Sequence, residues 1–119
     1  MNYLDNDFLV PVILGGGKEA DIVSRMIYDK TKIHPFLFCT AFSLWQRLLC
    51  KCRKLPQNSD TARLGELIRF ADNNEQNGSL LLIYTKENEL FFDRYKDDIE
   101  SRYVAVCADE LTSSRKDSE

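Results

Sequence analysis

The sequence is poor in the residues that would make it most other kinds of protein. It has one histidine, His34, set directly before Pro35, and no G-x-S-x-G elbow, so no Ser-His-Asp or Cys-His constellation can be assembled from it. Cysteine is sparse: Cys39, Cys50, Cys52 and Cys107 mostly lie in or beside apolar stretches, as buried free thiols of a reducing compartment do, and they are too few for a disulfide framework. The spacing speaks against a zinc site, because Cys50-Lys51-Cys52 has one intervening residue where structural sites usually have two to four, and His34 is remote. No apolar run approaches the roughly 18 to 20 residues that span a bilayer. The start, Met1-Asn2-Tyr3-Leu4-Asp5, lacks the basic and apolar regions of a signal peptide, so a cytoplasmic location without a membrane is expected. Positive charge is not in excess: the net charge of −3 and pI near 5.2 exclude a nucleic-acid module that works by neutralising phosphates.

What remains is 119 residues, 44% hydrophobic and 29% charged, enough for one ordinary domain with a real core. The charge is unevenly divided. Residues 1–56 carry eight Lys/Arg against five Asp/Glu, and residues 57–119 carry eight against fourteen, so an anion site is expected in the first half.

Short apolar runs alternate with helical periodicity along the chain. Phe8-Leu9-Val10-Pro11-Val12-Ile13-Leu14 reads as a buried strand with Pro11 near its start, and Ala20, Val23 and Ile27 then recur at helical spacing to about Lys30. His34-Pro35-Phe36-Leu37-Phe38-Cys39 is a second strand, and Ala41, Leu44, Trp45 and Leu48 form the stripe of a short amphipathic helix. After the Leu55-Pro56 turn, Ser59 or Asp60 caps a helix with Leu64, Leu67, Ile68 and Ala71 on its core face, closed by Asn77-Gly78. Leu80-Leu81-Leu82-Ile83-Tyr84 is the clearest buried strand, followed by Thr85-Lys86-Glu87-Asn88 and a helix carrying Phe92, Tyr95 and Ile99; Tyr103-Val104-Ala105-Val106-Cys107 is the last strand. The expected fold is therefore α/β, a single Rossmann-like three-layer domain over residues 1–111 with a mostly parallel sheet of four to five strands. Residues 112–119 read as a polar tail or linker stub.

Residues Gly15-Gly16-Gly17-Lys18-Glu19-Ala20 fit G-x-G-x-x-A between the first strand and first helix. Glycines there allow positive φ and close approach, so helix-terminal amides can face a phosphate, carboxylate or nucleotide, with Lys18 adding charge; a tight strand-to-helix turn also favours glycine for its own sake. NAD is disfavoured because the second strand ends in Cys39-Thr40-Ala41, with no acid for the ribose, and the P-loop pattern fails because Glu19 follows Lys18. Ligands of open α/β sheets lie at the carboxyl ends of strands, which makes the Thr85-Lys86-Glu87-Asn88 turn, with Thr85 and Lys86 as its ligand groups, a second candidate, though helix capping explains its polar groups as well. Arg47, Lys51, Arg53 and Lys54 form a basic stretch that reads as a solvated face or as a surface for an acidic ligand or partner, with the Trp45 stripe beside it. Asp93, Asp97, Asp98 and Glu100 read as one solvated helix face.

The order Pro11-Val12-Ile13-Leu14-Gly15-Gly16-Gly17, an Ala-x-x-Val-x-x-x-Ile helix, Leu55-Pro56, Leu80-Leu81-Leu82-Ile83-Tyr84 and Tyr103-Val104-Ala105-Val106 resembles the N-terminal pre-ATP-grasp domain of ATP-grasp carboxylate-amine ligases, the D-aspartate ligase and carbamoyl-phosphate-synthase-like group. The resemblance runs from about Phe8 to Asp109. It implies a Rossmann-like domain that packs on an ATP-grasp unit, in cis or in trans, and turns Gly15, Gly16 and Gly17, with Thr85 and Lys86, toward the substrate cleft. It implies ATP and magnesium only for a complete ligase, no cofactor on this chain alone, and a small carboxylate or amino acid as ligand. The chain is then the first part of a larger ligase or a free-standing remnant, without catalysis of its own. Family members often have an aspartate soon after the glycines, where this sequence has Lys18 and Glu19. Two other readings stay open: an independent Rossmann-like module binding a small anion or nucleotide at the glycine turn, and an interaction protein using the Arg47–Lys54 stretch.

Overall fold

A computed structural model describes residues 9–57, 59–74 and 79–117 of the chain. Five strands, β1 (Leu9–Leu14), β2 (Phe36–Cys39), β3 (Lys51–Lys54), β4 (Ser79–Tyr84) and β5 (Tyr103–Cys107), form one sheet in the order β3-β2-β1-β4-β5. Every neighbouring pair is parallel, so each connection is a crossover through helix. The helices are α1 (Gly17–Thr31), α2 (Leu44–Leu49), α3 (Asp60–Asn73), α4 (Glu89–Arg94), α5 (Lys96–Glu100) and α6 (Ala108–Asp117), with a 3-10 turn at Lys86–Asn88 before α4. The chain is an α/β, Rossmann-like domain.

A parallel sheet covered on both faces needs apolar residues at both parities of its central strands, and these runs supply them. Val12, Leu14, Leu80 and Leu82 pack with Leu67, Phe70, Phe92 and Ile99 from α3, α4 and α5. Ile13, Leu37, Leu81 and Ile83 pack with Ala20, Val23 and Ile27 of α1 and Leu111 of α6. Pro11 lies inside central strand β1, where a proline should break a ladder. It does not, because Gly15 N–H donates to Phe38 and successive residues alternate sides, so the Pro11 nitrogen faces β2, whose ladder with β1 begins only at Val12 and Phe36.

Several expectations change against this frame. The stripe on α2 points outward: Leu44 is 75%, Trp45 65% and Leu48 66% exposed, and the buried residue is Gln46. The reason is local and polar. Ser43 and Gln46 form a reciprocal capping box, and the Gln46 amide reaches across to Asp21 of α1 at 3.0 Å, which turns that polar side of α2 inward. The basic residues Lys51, Arg53 and Lys54 belong to β3, an edge strand whose charges guard the free edge. The helix expected around Phe92, Tyr95 and Ile99 is two helices interrupted at Tyr95. Ser59 caps α3 by accepting from Ala62, but α3 ends at Asn73; the Asn77-Gly78 stop lies outside the described residues. The backbone of residues 112–117, set apart above as a polar tail, is helical within α6. The four cysteines are free, and no helix among the described residues is long and apolar enough to cross a membrane.

One long-range polar contact ties the two halves of the first core together. The buried Tyr103 hydroxyl donates to the Leu67 carbonyl of α3 at 2.6 Å, and burial holds its pKa far above the ordinary phenol value. Tyr103→Phe is expected to lower stability by about 1 kcal/mol, read as a shift of the urea midpoint with unchanged slope.

Candidate functional site

Successive strands are added to one side of β1 up to β3 and then to its other side from β4, so the strand order switches between β1 and β4, and the turns after those two strands are Gly15–Gly17 and Thr85–Asn88. The two candidate turns, about 70 residues apart in sequence, are therefore neighbours at the switch point where open α/β sheets place their ligands.

They are joined at close range. The Thr85 N–H donates to the Leu14 carbonyl at 3.0 Å, and Thr85 lies fully buried against Gly15. Gly15 has φ +123°, and a Cβ there would overlap the Thr85 side chain and come within 2.7 Å of Asn88 Nδ2. At Gly16 the constraint is space alone: a Cβ there would lie 2.6 Å from Cys39 Sγ, so the Cys39 side chain would have to turn aside. Two carboxylates then lace the turns in opposite directions: Glu19 of the first turn accepts from the Lys86 N–H at 2.7 Å, and Glu87 of the second accepts from the Gly16 N–H at 3.4 Å. Thr85 acts within this brace, its hydroxyl accepting from Asn88 Nδ2 at 3.0 Å.

Beside the brace is an open cleft of about 280 Å3 lined by Gly15, Phe38, Cys39, Thr40, Leu55, Arg63, Glu87 and Asn88. Of the sequence candidates, Gly15 lines this cleft. Gly16 and Gly17 lie behind it at the start of α1, Lys18 and Lys86 present exposed side chains outside the lining, and Thr85 supports it from beneath. Glu87 and Asn88, both of the second candidate turn, line the cleft, while Arg63 and Thr40, which complete its polar chemistry, were not singled out by sequence. Arg63 sits in the first turn of α3, where its Nε donates to the Pro56 carbonyl at 2.8 Å and its Nη2 to the Gln57 carbonyl at 3.2 Å. Two of five guanidinium N–H groups thus fix the side chain, and Asp60 stands 3.8 Å from Nη1. Leu55-Pro56 reads in the sequence only as a turn, and nothing local marks Arg63 for this place.

Burial, and then Asp109 and Glu87 nearby, push the Glu19 carboxyl above its ordinary value, while the Lys86 amide pulls it down by less. Among the described residues no group of His, Cys, Asp and Glu side chains is arranged to hold a metal ion. The cleft therefore has two poles, the Arg63 guanidinium on the α3 side and the Glu87 carboxylate on the other. Searches of protein-family models, curated proteins and solved structures find no match to this chain.

Two expectations follow for the brace. Gly15→Ala should destabilise the fold by about 2 kcal/mol, because it adds positive-φ strain to a steric overlap; denaturant unfolding checks this. For Glu19 the raised folded value means that its contribution is fully present below the ordinary carboxylate value of 4.5 and is lost as pH rises through the raised value. Glu19→Gln, which stays neutral, should melt higher than the parent at pH 7, the gap closing as the pH falls below about 4 in a thermal-shift series.

Proposed function

We propose that this chain is a Rossmann-like ligand-binding domain of the pre-ATP-grasp kind, which forms one wall of a cleft for a small amino acid or similar zwitterion and leaves chemistry to a partner unit. The observation that carries this reading is the pairing of opposite charges across one cleft at the switch point: Arg63 beside Gly15, Phe38 and Leu55, with Glu87 and Asn88 closing the other side. A guanidinium binds a carboxylate well, and a carboxylate with an amide oxygen beside it suits an ammonium group. A free phosphate or nucleotide is favoured less, because the turn amides at Gly16 and Lys86 already face Glu87 and Glu19. The resemblance of the strand and turn order to pre-ATP-grasp domains supports the assignment of catalysis to another unit. An ATP-grasp partner, in cis or in trans, would bring ATP and magnesium, and this chain's residues would only hold and orient the amino acid.

Titrating isotope-labelled protein with a panel of amino acids, inorganic phosphate, AMP and ATP separates the readings. Amino acids carrying a free ammonium group and a carboxylate are expected to shift the amides of Gly15, Thr40 and Asn88, and Arg63→Ala is expected to weaken that binding at least about tenfold. Shifts produced by phosphate or AMP instead, centred on Gly16 and Gly17, would give the site to the anion-binding alternative. A silent panel would sink both.

A further inference from the structure

The sheet has two free edges, and the chain treats them differently. On β3 the side chains of Lys51, Arg53 and Lys54 are exposed and charged, which discourages pairing with another strand. On β5, Tyr103-Val104-Ala105-Val106-Cys107, there is no charge and no proline, and the register with β4 runs unbroken through all five residues, so no bulge protects it either. Tyr103 and Val106 commit their side chains to the two cores and offer only backbone at the edge. Between them Val104 is 44% exposed and Ala105 partly exposed.

The hydrogen bonds of the inner strands fix which backbone groups of β5 face outward. The Gly15 N–H on the Phe38 carbonyl turns the odd-numbered residues at the end of β1 toward β2, and the Thr85 N–H on the Leu14 carbonyl turns the odd-numbered residues of β4 toward β1. The even-numbered residues of β4 therefore bond to β5. A residue in a parallel ladder bonds to the two neighbours of the residue opposite it, and Leu82 lies opposite Ala105, so Val104 and Val106 face β4. The N–H groups of Tyr103, Ala105 and Cys107 then point away from the sheet. Those groups, with the Tyr103 and Ala105 carbonyls, have no hydrogen-bond partner among the described residues. Backbone left open in this way is a template for another strand.

We propose that two copies of this chain join edge to edge, their β5 strands antiparallel about a two-fold axis at Ala105, so that the two sheets become one continuous sheet. The spacing of the open groups selects a second copy as the occupant. Because the outward-facing residues lie evenly about Ala105, a single antiparallel register lets Ala105 exchange both bonds with Ala105 of the second copy, while Tyr103 meets Cys107 on either side of the axis. That register sets Val104 opposite Val106 of the second copy, so the exposed Val104 gains an apolar neighbour and no charge is buried. The β3 edge of another copy is a poorer occupant, because seating it on β5 would place Lys51, Arg53 and Lys54 beside apolar side chains. Both copies use the same patch, so the contact is isologous and closes as a dimer. The cleft lies over the ends of β1 and β2 and the turn after β4, so this inference is independent of the cleft and its ligand.

Sedimentation equilibrium from about 10 µM to about 1 mM, with residue-resolved amide exchange at both ends of the series, tests this. The parent is expected to sediment as a dimer at the upper end. Dilution is expected to speed exchange at Tyr103, Ala105 and Cys107 at least about tenfold, while Val104 and Val106, bonded to β4, stay protected throughout. Val104→Lys puts a charge at an exposed position, and Ala105→Pro removes one outward N–H, as Pro11 does without breaking β1. Each is expected to weaken dimerisation at least about tenfold, with circular dichroism verifying the fold. A parent that stays monomeric to about 1 mM overturns the proposal. A dimer whose Tyr103, Ala105 and Cys107 amides exchange as fast as in the monomer also overturns it, as does one that binds equally tightly with Lys at position 104; either gives the interface to another surface, such as the exposed stripe of α2.

Discussion

The contact between Gly15 and Thr85 is the constraint on which the rest of the molecule hangs. β1 and β4 are neighbouring inner strands that send Val12, Leu14, Leu80 and Leu82 into one core and Ile13, Leu81 and Ile83 into the other, and their carboxyl ends must stay in register to position everything above them. Backbone pairing alone ends at Leu14 and Tyr84. The Thr85 amide on the Leu14 carbonyl carries the ladder one step further, and the absence of a side chain at Gly15 lets the buried Thr85 occupy the space above it. With the turns so close, Glu19 and Glu87 can each reach the opposite backbone, and a site made of two distant segments becomes one rigid unit. Thr85 is better understood from this position as the floor of the site than as a ligand group.

Much of the fold was legible because the sheet is parallel and doubly covered. Inner strands buried on both faces must be continuous apolar runs, and β1, β2 and β4 announce themselves in that way; β5 lies at an edge but is legible because Tyr103, Ala105 and Val106 still face the two cores. The same logic hides β3. An edge strand pairs on one side only and must discourage pairing on the other, so Lys51-Cys52-Arg53-Lys54 is written in charge and reads as surface. The α2 stripe misleads for a related reason. Periodicity says that one face of a helix differs from the other, but which face turns inward was decided by the buried hydrogen bonds of Gln46, and six residues bury too little apolar area to overrule them. A stripe normally counted as core thereby becomes outer surface.

The site was legible in its parts and not in its assembly. Both turns could be picked out from glycine content and from their places after apolar strands, but nothing in one sequence says that β4 inserts beside β1. Strand order decides it, and strand order depends on α3 crossing back over the sheet. The same crossover brings Arg63 to the cleft: its spacing from Leu64 and Leu67 marks it as the polar flank of a core helix, and its role comes from the Pro56 and Gln57 carbonyls that turn it toward β2. Long-range contacts of this sort leave no local signature.

The charge of the site follows from the direction of the strands. Parallel strands with crossover helices send helix N-termini toward the same carboxyl edge, so their partial positive charges accumulate there. Many such edges leave that potential for an anionic ligand. Here the chain supplies anions of its own, Glu19 and Glu87 on the turn amides with Asp109 beside them, and burial, with a smaller contribution from these neighbouring acids, raises the affinity of Glu19 for its proton. The amides are thus satisfied before any ligand arrives, and an incoming phosphate would have to displace a covalently tethered carboxylate and then sit beside the others. A ligand that brings its own positive charge meets no such competitor: an ammonium group gains from the carboxylates, and its carboxylate finds Arg63 across the cleft. The basic excess of the first half of the chain is concentrated at Lys51, Arg53 and Lys54 on edge strand β3, which runs beside β2 and ends next to the cleft-lining Leu55.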